Sequence, residues 1–297
     1  MKKISRREFI GVTAAFATLS LADRSALANP LGLPLGIQLY SVREQMAEDL
    51  DATLGAVSEA GYIEVEAASL PKKSAKEIRG ALNKAGLRCV SAHHSLADLH
   101  THFDEIVDYD KELGVHFIIC SSPGFREQVP ASPGHRTMSL DDWQYTAEQL
   151  NGFGEKAAKS NIRIGYHNHT PEFAPTDGKT PYMELLRLTD PKKVTFELDC
   201  GWATVASMNP AEILKNYPHR ISMLHVKDFK LPANPSPETH DSKVTELGKG
   251  SIDYHPIFEQ ASKTQHIEHA FVEQEAFDMP WKESLKVDAE YMRTFKT

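Results

Sequence analysis

Four short segments of the chain each end in residues that can bind a metal ion, and each follows an apolar run typical of a β-strand. The segments are Tyr166-His167-Asn168-His169, Glu197-Leu198-Asp199, Leu224-His225-Val226-Lys227 and Phe271-Val272-Glu273-Gln274-Glu275. Helical patterns separate them, and the strands of a parallel barrel all end at the same face. Two imidazoles and two carboxylates would then surround one point. Such a donor set suits a divalent metal ion that polarises substrate oxygens.

Each of these residues also has an ordinary structural explanation when it is taken alone. His225 could be a buried histidine with satisfied hydrogen bonds, Asp199 could cap the next helix, and Glu273 could pair with a surface lysine. Their shared position at the ends of four successive strands favours a metal site formed by His167, Asp199, His225 and Glu273. His167 and His169 lie on the same face of their segment, so either imidazole could be the ligand from it.

Strand patterns and helix patterns alternate along the chain after residue 28, and these elements must position the candidate ligands. Capping patterns at Ser74-x-x-Glu77 and Ser139-x-x-Asp142 open two of the helices. An open doubly wound sheet is disfavoured, because no Gly-x-Gly-x-x-Gly follows the first strand. Eight strand–helix units in about 270 residues predict one (β/α)8 TIM-barrel domain over residues 29–297. The predicted strands are 35–40, 62–67, 87–92, 115–120, 162–166, 194–198, 221–226 and 270–274, and the longest irregular stretches are 121–138 and 230–250.

Residues 1–28 have the pattern of a targeting signal. A basic start precedes an apolar run over residues 9–22, and the small residues Ala26 and Ala28 precede a cleavage site. The run is too short and too weakly apolar for a stable membrane anchor. The adjacent Arg6 and Arg7 predict recognition by the twin-arginine (Tat) export machinery and a periplasmic location. An ordinary secretory signal with a chance pair of arginines is the alternative.

The charge balance limits the partners of the exported part. Removing residues 1–28 leaves 28 of the 33 Lys+Arg and 39 of the 41 Asp+Glu, a net charge of −11. An acidic protein of this kind is a poor candidate for binding nucleic acid or an anionic membrane. Cys89, Cys120 and Cys200 lie in or beside apolar runs, which predicts buried thiols and no disulfide framework. The sequence leaves the formation of a homo-oligomer open.

Several motifs together resemble the sugar isomerase/epimerase superfamily, whose members have the xylose-isomerase-like TIM barrel. The resemblance covers nearly the whole chain after residue 28 and implies one divalent cation at the ends of strands five to eight. In many members the ligand from strand five is a glutamate, and this sequence has His167 at that position. The less anionic site favours manganese, cobalt or zinc over magnesium. The residues that carry the resemblance are 35–41, 166–169, 198–202, 225–228, 246–253 and 272–275.

The resemblance also implies a reaction. In epimerases of the superfamily, two ligand glutamates exchange protons on opposite sides of the substrate, whereas only Glu273 remains here. We predict that Glu273 removes the proton beside a polarised carbonyl to give an enediolate, and that His169 or His93 donates a proton on the far side. Isomerisation or epimerisation would follow. A Tyr-His-His-His segment and a Glu-x-Glu-Gln ending in the inosose dehydratases of the superfamily resemble the segments here, so a lyase reaction is the alternative.

The expected substrate is a neutral keto sugar or keto-glycoside. Sugar phosphates are scarce outside the cytoplasm, and no glycine-rich phosphate cradle is visible in the sequence. Glu66 and Glu246 are predicted to accept hydrogen bonds from sugar hydroxyls, and Lys227 to stabilise oxyanion charge. For Lys227 and Glu246 a surface ion pair is an equal explanation. Two other functions stay open: a metal-dependent hydrolase of abasic DNA, which the net charge disfavours, and a sugar-binding protein without catalysis.

Overall fold

Eight parallel strands close into a barrel in the computed structural model, which describes residues 29–127, 136–232 and 242–296. Around the barrel the order follows the chain, and the last strand pairs with the first. The predicted (β/α)8 barrel and its eight strands are therefore confirmed. The barrel strands are β1 Gly36–Gln38, β2 Glu64–Ala67, β3 Arg88–Ser95, β4 Phe117–Ser122, β5 Arg163–His167, β6 Val194–Asp199, β7 Ile221–Val226 and β10 His269–Val272.

The helices lie between consecutive strands. Ser74 and Ser139 form the two predicted caps, each with a reciprocal capping box. The helix that Ser74 caps spans Ala75–Ala85 and is followed by Gly86, whose φ of 76° is the left-handed conformation that glycine adopts without strain. The helices are α1 Arg43–Glu48, α2 Leu50–Glu59, α3 Ala75–Ala85, α4 Leu96–Leu113, α5 Leu140–Ala157, α6 Pro181–Leu188, α7 Cys200–Val205, α8 Pro210–Asn216, α9 His255–Thr264 and α10 Trp281–Thr294; short 3-10 turns span Leu39–Val42, Ala158–Ser160 and Pro171–Phe173.

Strand side chains alternate between two environments. In β6, Phe196 and Leu198 belong to the large apolar core that the sheet shares with the helices, whereas Glu197 and Asp199 have the opposite parity. A second, smaller apolar cluster contains Phe271 and Met223, and the ring of Phe271 lies 6.0 Å from that of His225. The interior of the barrel thus has an apolar layer and a polar layer towards the strand ends. That polar layer holds the residues predicted to bind a metal ion.

The stretch 230–250, expected to be irregular, contains part of a small antiparallel hairpin. Strand β8 (Asp228–Lys230) pairs with β9 (Lys243–Thr245) just after the seventh barrel strand. The Asp228 carboxylate accepts backbone N–H groups from Phe229, Gly248, Gly250 and Ile252, at 2.9–3.1 Å. This carboxylate folds the segment after β9 against the hairpin, a long-range contact that local patterns do not reveal.

Two predictions fall partly or wholly outside the described residues. The export signal at residues 1–28 lies there, as do residues 128–135 and 233–241 of the two predicted long loops. Among the described residues, no helix is both long enough and apolar enough to cross a membrane. Cys89, Cys120 and Cys200 are buried free thiols, as predicted.

Candidate metal centre and active site

The four predicted metal ligands come together at the C-terminal end of the barrel. His167 and Asp199 are the last residues of β5 and β6, His225 lies one residue before the end of β7, and Glu273 follows β10 directly. One ligand atom from each lies within 4.8 Å of those of the other three. All four residues are buried. Asp199 and His225 are direct neighbours across two paired strands, so the barrel register itself sets their proximity.

The carboxylate of Asp199 provides a test of whether a metal ion fits these residues. Its Oδ1 atom accepts the backbone N–H of Trp202 at 2.7 Å, which caps helix α7. Its buried Oδ2 atom accepts no hydrogen bond from the described residues. That atom lies 4.0 Å from Nε2 of His167 and 3.9 Å from Nδ1 of His225. It also lies 3.4 Å from Nζ of Lys227, an ion pair without a hydrogen bond. A buried oxygen that accepts no hydrogen bond is costly, and a divalent cation among two nitrogens and two carboxylates would satisfy it.

Glu197 belongs to this site as well, although the sequence analysis assigned it no role. Its Oε2 atom lies 2.8 Å from Nε2 of His93, 2.9 Å from Nδ1 of His167 and 3.2 Å from Nε2 of His225. Burial and the Glu66 carboxylate would raise the pKa of Glu197, but the imidazoles of His225 and His167 lower it to about 2. The sequence did contain a signal for Glu197: it lies two residues before Asp199 in the same strand and therefore on the same face.

Glu66 is placed differently from the prediction. It is fully buried, and its Oε2 atom lies 2.7 Å from Nε2 of His225, 2.9 Å from Nε2 of His93 and 2.7 Å from Nε2 of Gln38. Burial opposes ionisation, yet the two imidazoles hold the pKa of Glu66 well below its usual range. The carboxylates of Glu66 and Glu197 raise the pKa of His93 to about 9, although burial opposes this rise. Glu66 therefore contacts the imidazoles of His93 and His225 and is not among the described residues that line the cavity over the site.

Lys227 is fully buried beside the carboxylates of the site. Its Nζ atom lies 2.7 Å from Glu273, 2.5 Å from Glu275 and 3.4 Å from Asp199. Burial would lower the pKa of this ammonium group, but these three carboxylates raise it above its usual range. Conversely, Lys227 and His225 lower the pKa of Glu273 despite its burial. The structure thus shows Lys227 neutralising carboxylates of the site, and its predicted role in stabilising oxyanion charge stays a prediction.

A cavity of about 460 Å³ lies over the candidate metal centre. His93, His167, His169 and Glu273 all line it, and Trp202 forms part of its wall. The ring of His169 packs 4.8 Å from that of His167. Among the described residues that line the cavity there is no lysine and no arginine. The remaining lining residues are Tyr40, Ala68, Ser69, His94, Ser95, Asp98, Ser121, Ser122 and Glu275.

Glu246, predicted to bind the sugar, is not brought into this cavity. It is buried, and one of its carboxylate oxygens accepts hydrogen bonds from the Ser284 hydroxyl at 3.0 Å and the Asp278 backbone N–H at 3.3 Å. These bonds join the segment after β9 to the start of α10. The structure thus gives Glu246 a structural position, and the prediction for this residue was wrong about its surroundings.

Comparison with known proteins gives a consistent set of similarities. Residues 54–295 match the protein family described as "Xylose isomerase-like TIM barrel". An inosose dehydratase from Clostridium botulinum (strain Alaska E43 / Type E3) is 28% identical over 221 residues, which are 67% of this chain and 73% of that protein. The crystal structure of a sugar phosphate isomerase/epimerase from Parabacteroides distasonis ATCC 8503 superposes with a TM-score of 0.70 at 25% identity, covering 87% of this chain and 93% of that one.

Two more distant structures share the fold and hold a metal ion. A structure of the IOLI protein with a zinc atom has a TM-score of 0.67 at 14% identity and covers 86% of this chain and 95% of that one. A xylose isomerase-like TIM barrel protein from Mycobacterium smegmatis, in complex with magnesium, has a TM-score of 0.65 at 14% identity and covers 91% and 97%. At this identity the similarity establishes the fold alone.

Proposed function

Since the chain belongs to the xylose isomerase-like TIM barrel family and is an enzyme, we propose that it removes the proton beside the carbonyl group of a neutral keto sugar or keto-glycoside. The observation that carries this proposal is the convergence of His167, Asp199, His225 and Glu273, of which His167 and Glu273 line one polar cavity. Two imidazoles and two carboxylates at the ends of barrel strands are the groups that this chemistry requires.

These four residues would hold one divalent metal ion. The Oδ2 atom of Asp199, which accepts no hydrogen bond from the described residues, supports this assignment, and two nitrogen donors favour zinc, cobalt or manganese over magnesium. Such an ion, when bound, polarises a carbonyl oxygen and makes the neighbouring C–H bond more acidic. The protein side chains would carry out the proton transfers of the reaction.

Glu273 is the proposed base. Its carboxylate lines the cavity and is held 2.7 Å from the Lys227 ammonium group, which fixes its orientation. The imidazoles of His169 and His93 line the same cavity and extend from β5 and β3, several strands away from β10 in either direction around the barrel. With a carboxylate on one wall and imidazoles on the others, Glu273 could take a proton from one atom of the substrate and an imidazole could give a proton to another.

The fate of the substrate after proton removal separates two reactions. Return of a proton to carbon gives an isomer or epimer, whereas protonation of a departing β-hydroxyl group releases water. Glu273 and Glu275, the two glutamates of the described residues that line the cavity, both follow β10. An imidazole of His169 or His93 would then act on the other side of the substrate, where it could donate a proton to a leaving group. This arrangement and the 28% identity to an inosose dehydratase favour loss of water as the second candidate.

The cavity wall favours an uncharged substrate. Serine hydroxyls at positions 69, 95, 121 and 122 can bind sugar hydroxyls, and Trp202 offers an aromatic surface. Asp98 adds negative charge, and the described residues that line the cavity include no lysine or arginine to bind a phosphate group. The predicted twin-arginine signal, if processed, would place this reaction in the periplasm, where neutral sugars are the expected substrates.

The proposal can be tested by product analysis with defined metal ions. The protein, stripped with a chelator and reloaded with zinc, cobalt, manganese or magnesium, would be incubated with keto-inositols, 3-keto-glucosides and sugar phosphates. Mass spectrometry then separates loss of water from isomerisation, which leaves the mass unchanged. We expect turnover of an uncharged keto sugar only with metal present. Equal turnover without metal, or turnover of sugar phosphates alone, would contradict the proposal.

A further inference from the structure

We infer that Glu197 and Glu66 are positioning residues that fix which nitrogen atom His167 and His225 present to the metal ion. This inference rests on the metal centre of the proposed function and concerns residues beneath it. A carboxylate only accepts hydrogen bonds, so the imidazole nitrogen that faces it carries the proton. The other nitrogen of the ring then offers its lone pair.

His167 shows the arrangement most simply. Its Nδ1 atom lies 2.9 Å from Oε2 of Glu197, so Nδ1 carries the proton. Its Nε2 atom is on the side of Asp199, 4.0 Å from the Oδ2 atom, which accepts no hydrogen bond from the described residues. The barrel register places His167 and Glu197 directly opposite each other on β5 and β6. The pair is therefore built into the sheet and does not depend on a flexible side chain.

His225 repeats the arrangement with its nitrogen atoms exchanged. Its Nε2 atom lies 2.7 Å from Glu66 and 3.2 Å from Glu197. Its Nδ1 atom faces the two carboxylate ligands, 3.9 Å from Asp199 and 3.2 Å from Glu273. A metal ion held by these two ligands would replace a proton on Nδ1 and leave the proton of the ring on Nε2, where Glu66 and Glu197 accept it. In each imidazole, one nitrogen is thus held by Glu197 or Glu66 and the other faces Asp199.

A rival assignment would place the metal ion in the inner group. His93, His167, Glu197 and His225 also have ligand atoms within 4.8 Å of one another. Their contacts, however, have hydrogen-bond lengths of 2.8–3.2 Å between imidazole nitrogens and Glu197. Each group has two members that line the cavity, His93 and His167 in the inner group and His167 and Glu273 in the outer group. The carboxylate of the inner group, Glu197, already has imidazole partners at hydrogen-bond distance, whereas Oδ2 of Asp199 in the outer group accepts no hydrogen bond from the described residues, which favours the outer group.

The test compares metal affinity in four isosteric variants. Metal-free wild type, Glu197→Gln, Glu66→Gln, Glu64→Gln and Asp199→Asn would be titrated with Co²⁺, followed by its visible spectrum, and with Zn²⁺ in competition with a chromophoric chelator. Glu64 is the matched control: it is also a buried glutamate on β2, and it lies 2.7 Å from Nδ1 of His269 near the start of that strand. Circular dichroism verifies folding of each variant, and Glu66→Gln tests the inference independently if Glu197→Gln does not fold.

We expect Glu197→Gln and Glu66→Gln to bind each metal about 10- to 100-fold more weakly, with a Co²⁺ spectrum of unchanged shape, because the ligands stay but lose their orientation. Glu64→Gln should bind as wild type does. Unchanged affinity in both site variants would overturn the inference. So would loss of binding in Glu197→Gln together with full binding in Asp199→Asn, which would place the metal in the inner group. Failure of the wild type itself to bind metal would instead refute the metal centre of the proposed function.

Discussion

Replacing Asp288 with asparagine should make the stability of the protein less dependent on pH. Asp288 lies on α10 with no exposed surface, and its Oδ1 atom accepts the Leu247 backbone N–H at 2.7 Å. Its Oδ2 atom has no hydrogen-bond partner among the described residues. Burial, more than any other effect, raises the pKa of Asp288 from 3.8 to about 7, and the carboxylates of Glu246 and Asp228 add to this rise. The Leu247 N–H and Lys249 oppose it.

The expected magnitude follows from this pKa difference. Between pH 3.8 and about pH 7 the folded protein keeps a proton that the unfolded chain has lost. Stability therefore falls as pH rises through this window and levels off above it. One pKa unit corresponds to about 1.36 kcal/mol, so the rise from pH 5 to pH 8 costs the wild type about 3 kcal/mol at this position. Asparagine keeps an acceptor for the Leu247 N–H and never becomes charged, so the variant avoids this loss.

Chemical denaturation of wild type and Asp288→Asn at pH 5 and pH 8 measures the effect. The variant should gain about 3 kcal/mol relative to wild type between the two pH values. Asp104→Asn, at an exposed position on α4, is the control and should show no such gain. If the free-energy difference between Asp288→Asn and wild type stays constant over this range, a raised pKa at Asp288 is refuted.

Three further substitutions test separate parts of the structure. Glu273→Gln should lower turnover by about 10²- to 10⁴-fold with an unchanged circular dichroism spectrum; near-normal turnover would remove Glu273 as the base. Lys227→Met leaves three carboxylates without their buried cation, so denaturation should show a loss of about 3–5 kcal/mol, and wild-type stability would argue against the ion-pair network. Gly250→Ala brings a methyl group against the Asp228 carboxylate and should lower the melting temperature. Its control is Gly80→Ala on α3, where the added methyl group meets no atom within 4 Å, and this variant should not lower the melting temperature. Equal melting temperatures of the two variants would contradict the close contact between Gly250 and Asp228.

The sequence predicted the barrel because apolar runs mark the strands and because local capping patterns, such as those at Ser74 and Ser139, mark helices between them. The parity of residues along a strand was equally informative: Glu197 and Asp199 share a face because side chains alternate. Parallel strand ends meet at one face, so the convergence of His167, Asp199, His225 and Glu273 could be expected before the structure was known. These features depend on local pattern and on the geometry of one fold class.

The partners of individual side chains could not be predicted in the same way. Glu197 lies against His93, 104 residues away, and Glu66 against His225, 159 residues away. Such contacts depend on barrel closure, register shifts and rotamers, and none of these leaves a local pattern. The same limit explains Glu246: its motif suggested a sugar contact, but the fold turns its carboxylate towards Ser284. The hairpin of β8 and β9 depends likewise on one carboxylate, that of Asp228, and on backbone N–H groups about 20 residues further along.

The most direct test of the proposed chemistry is proton exchange at the carbon beside the carbonyl. Zinc-loaded protein in deuterated buffer would be mixed with a panel of neutral keto sugars and keto-glycosides and followed by proton NMR. We predict that the signal of one α-proton disappears, or that a new double bond forms, with wild type and metal but not with Glu273→Gln or without metal. No exchange and no product across the panel, in a protein that demonstrably binds zinc, would contradict the account.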